Sequence, residues 1–250
     1  MSAVKAAPVD PSPLLTQLVD AGRAAGFRLE TFGEIAGWPL FALTKRTPGP
    51  RPRIYLSAGI HGDEEAPSRA VLSMIGSGVF DARADWFLCP LLSPTGLARG
   101  TRENAEGIDL NRDYKDRRSA EIRAHIGWLE RQPRFDLTIC LHEDWEATGF
   151  YLYELNRENR PSLASAMLEA VLPICPLDHS PLIDGREAKA GIITPVGDPL
   201  LRESWPEAIY LHVQHSALVY TLESPSGLPL ETRIAALGAA TSAAVTALRR

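Results

Sequence analysis

Two histidines and two glutamates in this chain stand where they could hold a divalent ion and move a proton. The apolar runs 54–60, 135–141 and 218–222 each end on such a residue, His61, His142 and Glu223. Glu64 follows His61 by three positions, a spacing that lets both side chains bend onto one cation across a turn, with Gly62 allowing the backbone to bend. Two imidazoles and one carboxylate leave one tetrahedral position open, the layout of a catalytic rather than a closed structural site. Glu223 adds a second carboxylate that could act as general base and then general acid.

Taken singly, each residue has a plainer explanation. His61-Gly62-Asp63-Glu64 reads as a polar strand end followed by a glutamate that favours the positive end of a helix, and a strand-end Glu223 reads as a surface residue. The recurrence at three strand ends shifts the balance, because ligands of open α/β sheets lie beyond the carboxyl ends of the strands. Glu65 is expected to face solvent, and Glu143 and Asp144 to flank the site rather than bind a second metal.

A basic group surrounds the next stretch: Arg99, Arg102, Arg112, Lys115, Arg117 and Arg118 crowd residues 99–118 of a chain whose formal net charge is -5. Guanidinium forks match carboxylates at two points, so arginines near a metal suit an anionic substrate. Lys115, Arg117 and Arg118 are read instead as solvated loop charges. Asp109 could orient a metal-bound imidazole through its far nitrogen, or be only a turn aspartate after Gly107-Ile108.

These residues need elements to place them. Helical spacing marks residues 14–25, 66–75, 117–131, 160–171 and 230–249, and strand patterns mark 28–32, 39–45, 54–60, 86–92, 137–141, 150–155, 209–213 and 218–222. Strands alternating with helices predict a three-layer αβα, α/β fold with a mixed, mostly parallel central sheet. Residues 93–114 read as a long polar loop, and loops of that length in compact domains are usually functional. Residues 173–206, rich in Pro and Gly, predict further loops with short strands near Ile192.

Composition sets the bounds. With 250 residues, 45% hydrophobic and 23% charged, the chain is expected to form a single domain, 1–250. Its acidic balance argues against nucleic acid and anionic membrane surfaces as partners. Cys89, Cys140 and Cys175 are scattered and odd in number, which predicts buried reduced thiols and a cytoplasmic protein. No secretory signal is expected near Met1, and the Ala-rich stretch 234–248 falls short of the roughly 20 residues that span a bilayer.

The ordered set His61-x-x-Glu64, Arg102-x-Asn104, Gly107-Ile108-Asp109-Leu110-Asn111-Arg112, His142 and Glu223 resembles the zinc carboxypeptidase superfamily, the carboxypeptidase A-like metallopeptidases, to which the succinylglutamate desuccinylase/aspartoacylase group is related. The resemblance runs from about residue 54 to the terminal helix. It implies a phosphorylase/hydrolase-like fold and one zinc ion on His61, Glu64 and His142, with Asp109 supporting His61. It also implies that Arg102 polarises the scissile carbonyl, that Asn111 and Arg112 hold a free carboxylate of the substrate, and that Glu223 is the base.

The chain departs from that pattern in places. Ser93-Pro94-Thr95-Gly96 replaces the usual N-P-D-G turn, and Tyr210 and Tyr220 match the substrate-capping tyrosine by order alone. Residues 180–206, which would set specificity, match no motif. His125, His179, His212 and His215 read as polar residues of a helix surface, a loop and a strand, and Trp145 and Tyr151 as packing residues.

The expected activity is hydrolysis of an amide next to a free carboxylate in a small peptide, of carboxypeptidase or murein-peptide amidase type. An N-acyl amino acid deacylase is the alternative; the segment after Glu223 is too short for the β domain usual in that group, which leans toward the peptidase branch. A binding protein that keeps the scaffold without catalysis is a third possibility. Oligomeric state is not legible.

Overall fold

The computed structural model describes residues 7–248. Helix α1 (Pro11–Ala24) opens on Asp10, whose carboxylate accepts from the Ser12 amide, and leads into a hairpin of β1 (Arg28–Ile35) and β2 (Trp38–Lys45). Its two turn residues, Ala36 and Gly37, have φ of 52° and 85°, the left-handed pair that matches the twist of a two-residue hairpin. There follow β3 (Arg53–Ser57), α2 (Ala66–Gly76), β4 (Asp85–Cys89), a short α3 (Pro94–Arg99) and a 3-10 turn at Leu110–Arg112. Then come α4 (Ala120–Leu129), capped by the Ser119 hydroxyl, β5 (Leu137–Asp144), β6 (Tyr151–Asn156) and α5 (Ala164–Val171). The chain finishes with the two-residue strands β7 (Leu182–Ile183), β8 (Arg186–Glu187) and β9 (Ile192–Ile193), then α6 (Glu207–Gln214), β10 (Leu218–Pro225) and α7 (Leu230–Ala247).

Eight strands form one sheet in the order β1-β2-β4-β3-β5-β10-β6-β9, while β7 and β8 pair only with each other. The four central strands run parallel and antiparallel ladders flank them. Those central strands are buried almost throughout, as expected when both faces of a parallel sheet are covered. Chain order reverses at β3, with β4 on one side and β5 on the other, so the crevice beyond their carboxyl ends is a topological switch point.

Strand alternation divides the interior into two unlike cores. Ile54, Leu56, Leu137, Ile139, Leu141, Leu218, Tyr220 and Leu222 pack under α1, α2, α5 and α7 in a mostly aliphatic cluster. Tyr55, Phe87, Cys89, Cys140 and Phe135 face the other way, against Tyr114, Ile122, Trp128 and Tyr210 beneath α4 and α6. The three cysteines are free and buried, as expected.

Several elements differ from the sequence expectation. Residues 209–213 form part of helix α6 rather than a strand: Ile209 and Leu211 are buried, but so are Tyr210 and His212 between them, so no period of two exists. The 93–114 stretch is not one loop, since Pro94 and Gly100 bracket a helical turn and a half. Strand β3 stops at Ser57, and residues 58–60 turn toward β4, with the Ala58 amide donating to the Cys89 carbonyl and the Ala58 carbonyl accepting from the Leu92 amide. The last residue of the expected 230–249 helix lies outside the described residues. Among the described residues no helix is long and apolar enough to cross a membrane.

Candidate metal centre

The period of two along β5 and β10 builds half of the site. Thr138, Cys140, His142 and Asp144 point to the same side of β5, and in the parallel register His142 lies directly opposite Glu223, which shares that side of β10 with Thr221. Glu143 points to the other face, where its carboxylate accepts from the Ala66 amide at 2.8 Å and from Arg233 of α7. That explains why it is no ligand: it closes the N-terminus of α2 and ties α7 to it. Burial raises its pKa to about 7, against the pull of Arg233 and the amide.

The other half comes from the turn after β3. His61 and Glu64 are 2% and 6% exposed, and His142 is 3% exposed. His61 Nδ1 lies 2.5 Å from Glu64 Oε1, and His142 Nδ1 lies 3.1 Å from Glu64 Oε2. One ligand atom from each residue falls within a sphere of mutual distances below 4.8 Å. Burial would raise the pKa of Glu64, but the two imidazoles outweigh it and hold the carboxylate well below its ordinary range.

Asp109 stands behind His61, with Oδ1 3.4 Å from Nε2, an atom that is buried without a hydrogen-bond partner. Its other oxygen accepts from Arg102 Nε at 2.9 Å, and Arg102 Nη1 approaches His61 Nδ1 at 3.4 Å. Burial works against ionisation of Asp109, yet His61, Arg102 and Arg112 together keep it charged well below the usual carboxylate pKa. Asp109 also caps the 3-10 turn by accepting from the Asn111 amide at 2.9 Å. The turn thereby presents Asn111 and Arg112 to the same space.

That space is a cavity of about 540 Å³ lined by His61, Glu64, Arg102, Asp109, Asn111, Arg112, His142 and Glu223. All eight residues singled out in the sequence therefore meet in one place. Burial pushes Glu223 up to about 8, with Glu64 and Asp144 adding to the rise and His142 and Arg102 opposing it. The protein fits a divalent cation: two buried imidazoles and a buried carboxylate converge, and each favours positive charge between them.

Gly62 has a different role from the one its spacing suggested. Its φ is not left-handed; instead a Cβ there would lie 1.8 Å from the Gly96 carbonyl carbon. The ligand turn and α3 touch backbone to backbone, which leaves no room for a side chain.

Other expectations are corrected. Tyr210 and Tyr220 do not reach the cavity: Tyr220 accepts from the Leu163 amide and donates to Glu154 inside the core, and Tyr210 packs at a tilt against Tyr114 and His215. Trp145, Tyr151 and Tyr153 line the cavity instead, and Trp145 is 56% exposed. Tyr151 donates to Asp144 at 2.9 Å. His125 is wholly buried, not on a helix surface, and His212 and His215 are buried on or just after α6. Glu65 is partly buried against Arg69.

Sequence comparison adds the deciding observation: the profile of the succinylglutamate desuccinylase/aspartoacylase catalytic domain matches residues 50–181, more than half of the chain. The chain belongs to that family. The match spans His61, Glu64, Arg102, Asp109, Asn111, Arg112 and His142, and ends before Glu223. No curated protein matches the sequence significantly.

Solved structures extend the likeness across the fold. A candidate metallopeptidase from Shewanella amazonensis superposes with a TM-score of 0.83 at 25% identity, covering 96% of this chain and 93% of its own. A metallo-carboxypeptidase from Burkholderia cenocepacia gives 0.70 at 23% identity, covering 97% and 70%. Bovine thrombin-activatable fibrinolysis inhibitor gives 0.66 at 12% identity, covering 97% and 98%. The αβα sheet of this family member is thus shared with carboxypeptidase structures.

Proposed function

We propose that the protein is a zinc-dependent hydrolase that cleaves an amide next to a free carboxylate. The observation that carries this reading is the convergence of the His61, Glu64 and His142 donors with Glu223, Arg102 and the Asn111-Arg112 pair on one cavity. His61, Glu64 and His142 would hold the ion, which supplies Lewis acidity and acidifies water. Glu223 takes a proton from the attacking water and returns it to the leaving nitrogen. Arg102, fixed by Asp109 on one edge of its guanidinium, stabilises the carbonyl oxygen as negative charge builds there.

Asn111 and Arg112 orient the substrate by its carboxylate. The Asn111 side-chain oxygen is already committed, accepting from the Glu207 amide at 2.9 Å, so its NH2 group is the part free to donate. That fixes which end of the amide meets an anion.

Two amide chemistries fit this arrangement: release of a C-terminal residue from a small peptide, and removal of an acyl group from an N-acyl amino acid. Family membership favours the second. The test is hydrolysis by zinc-loaded protein of a panel of dipeptides, murein peptides and N-acyl amino acids. Cleavage confined to substrates with a carboxylate beside the scissile amide is expected; no cleavage of any member by metal-replete protein would overturn the reading.

A further inference from the structure

The ladder between the two ligand-bearing strands stops short of the ligands. Strands β3 and β5 pair in parallel only as far as Ser57 and Cys140. His142 lies two residues further along β5, while the turn that carries His61 and Glu64 has already bent toward β4, where the Ser93 amide donates to the Gly59 carbonyl at 2.7 Å. Among the described residues, two hydrogen bonds cross from residues 58–66 to β5. One joins the ligands themselves, Glu64 and His142. The other runs from the Ala66 amide to Glu143 Oε2 at 2.8 Å.

Glu143 therefore touches both ligand segments. It directly follows His142, and Ala66 follows Glu64 by two positions. Glu65, just ahead of α2, makes no side-chain cap, so the carboxylate from β5 takes that place, where the positive end of the helix favours its charge. Its other oxygen accepts from Arg233 Nη1, in the first turn of α7. That helix leaves the strand of Glu223, and β5 and β10 stay in register as far as Asp144 and Pro225. A single carboxylate thus links the ligand turn, the ligand strand and the helix that follows the proposed base.

Stability is a poor explanation for this pair. The Glu143 side chain is wholly covered, that of Arg233 is 16% exposed, and Arg233 Nε is buried without a hydrogen-bond partner. Burying two charges costs desolvation that their attraction seldom does more than offset, and apolar groups of similar volume often serve a fold as well. Apolar groups cannot hold the Ala66 amide, however, at a place where a ligand shift of about 0.5 Å matters.

We propose that Arg233 and Glu143 are positioning residues of the metal centre: Arg233 fixes the Glu143 carboxylate, which holds the His61–Glu64 turn against His142 at the spacing one cation requires. The proposal rests on the reading of His61, Glu64 and His142 as the metal ligands. Arg233 lies beyond residue 181, where the match to the family profile ends.

Zinc affinity, measured against a competing chelator, and the melting temperature of the zinc-free protein separate this role from a structural one. Arg233→Met leaves a buried carboxylate alone and should lower both, with the zinc Kd rising about 10-fold or more, the usual scale for groups that orient ligands from behind. Arg233→Lys keeps a cation for the one-point contact and should restore most of the affinity. Glu143→Met/Arg233→Met removes both charges, so its zinc-free melting temperature should return toward the original while zinc stays bound about 10-fold more weakly. Zinc affinity that follows melting temperature through the series, that no substitution changes, or that is no better in Arg233→Lys than in Arg233→Met would overturn the proposal and leave the ligands standing. An unsubstituted protein that takes up no zinc would sink the ligand reading and the pair's role with it. Zinc uptake with no amide cleaved would sink only the hydrolase reading.

Discussion

Glu223 is the residue on which the proposed chemistry turns, and its place is set by register rather than by the turn that follows it. It sits opposite His142 in the parallel ladder and opposite Tyr151 in the antiparallel one. Glu223→Gln keeps the shape and removes the base, so zinc content should stay near one ion per chain while kcat falls by about 10²–10⁴-fold, the usual worth of positioned proton transfer. Turnover within a few-fold of the original would refute the role. His61 bears on the ion itself. Burial alone would lower its pKa, but Glu64 and Asp109 outweigh it and raise it. A proton must therefore leave before a metal enters, and zinc affinity measured against a competing chelator should weaken as pH falls from 7.5 to 5.5; a flat profile would count against His61 as ligand. These polar residues were legible because each interrupts an apolar run or breaks the pattern of a loop. Arg186 and Arg202, which also line the cavity, were not, because the segment that carries them has two-residue strands and no period to say which way a side chain points.

At the level of elements, the turn after β3 and helix α3 behave as one unit. The Gly62–Gly96 contact keys the metal-ligand turn to the segment that leads on to Arg102. Gly62→Ala should lower zinc affinity at least 10-fold and cost several kcal/mol of stability, because backbone must move to admit one methyl group. Gly76→Ala, at the end of α2 where a Cβ meets nothing within 4 Å, should be neutral or stabilise by about 0.5–1 kcal/mol. Equal melting temperatures for the two variants would contradict this account. Sequence alone suggested a bending role for Gly62, since a glycine's spacing cannot show what lies across from it. The same limit explains α6: its run of buried residues 209–212 has the composition of a strand, and only its neighbours make it a helix. By contrast β2, β5 and β10 were readable as short apolar runs buried on both faces, and α2 and α7 by the helical spacing of their buried residues.

Across the whole molecule, one chain of buried hydrogen-bonded side chains lies on the α4 and α6 side of the sheet. Beneath α4 and α6, Tyr114 donates to His125 Nδ1 at 2.8 Å, and His125 Nε2 donates to Tyr55 Oη at 3.0 Å. Tyr55 and Ser57 in turn donate to the two oxygens of Glu207, at 2.7 and 2.8 Å. Burial, with His215 nearby, lowers the pKa of His125 to about 3, and burial also lowers those of His212 and His215. All three would take up protons on unfolding at pH values where the folded protein resists them. Stability from this source is complete above about 6.5, the free histidine value, and drains away as pH falls toward 3. Amide exchange followed from pH 7 to pH 5 should show α4 and α6 losing protection before α2 and α7; uniform loss would argue against this division. The backbone amide of Glu207, at the start of α6, is also what holds Asn111 in position. Mild acid should therefore loosen the grip on a carboxylate that the proposed function places at Asn111, through the floor of the molecule, while its secondary structure is still almost entirely intact.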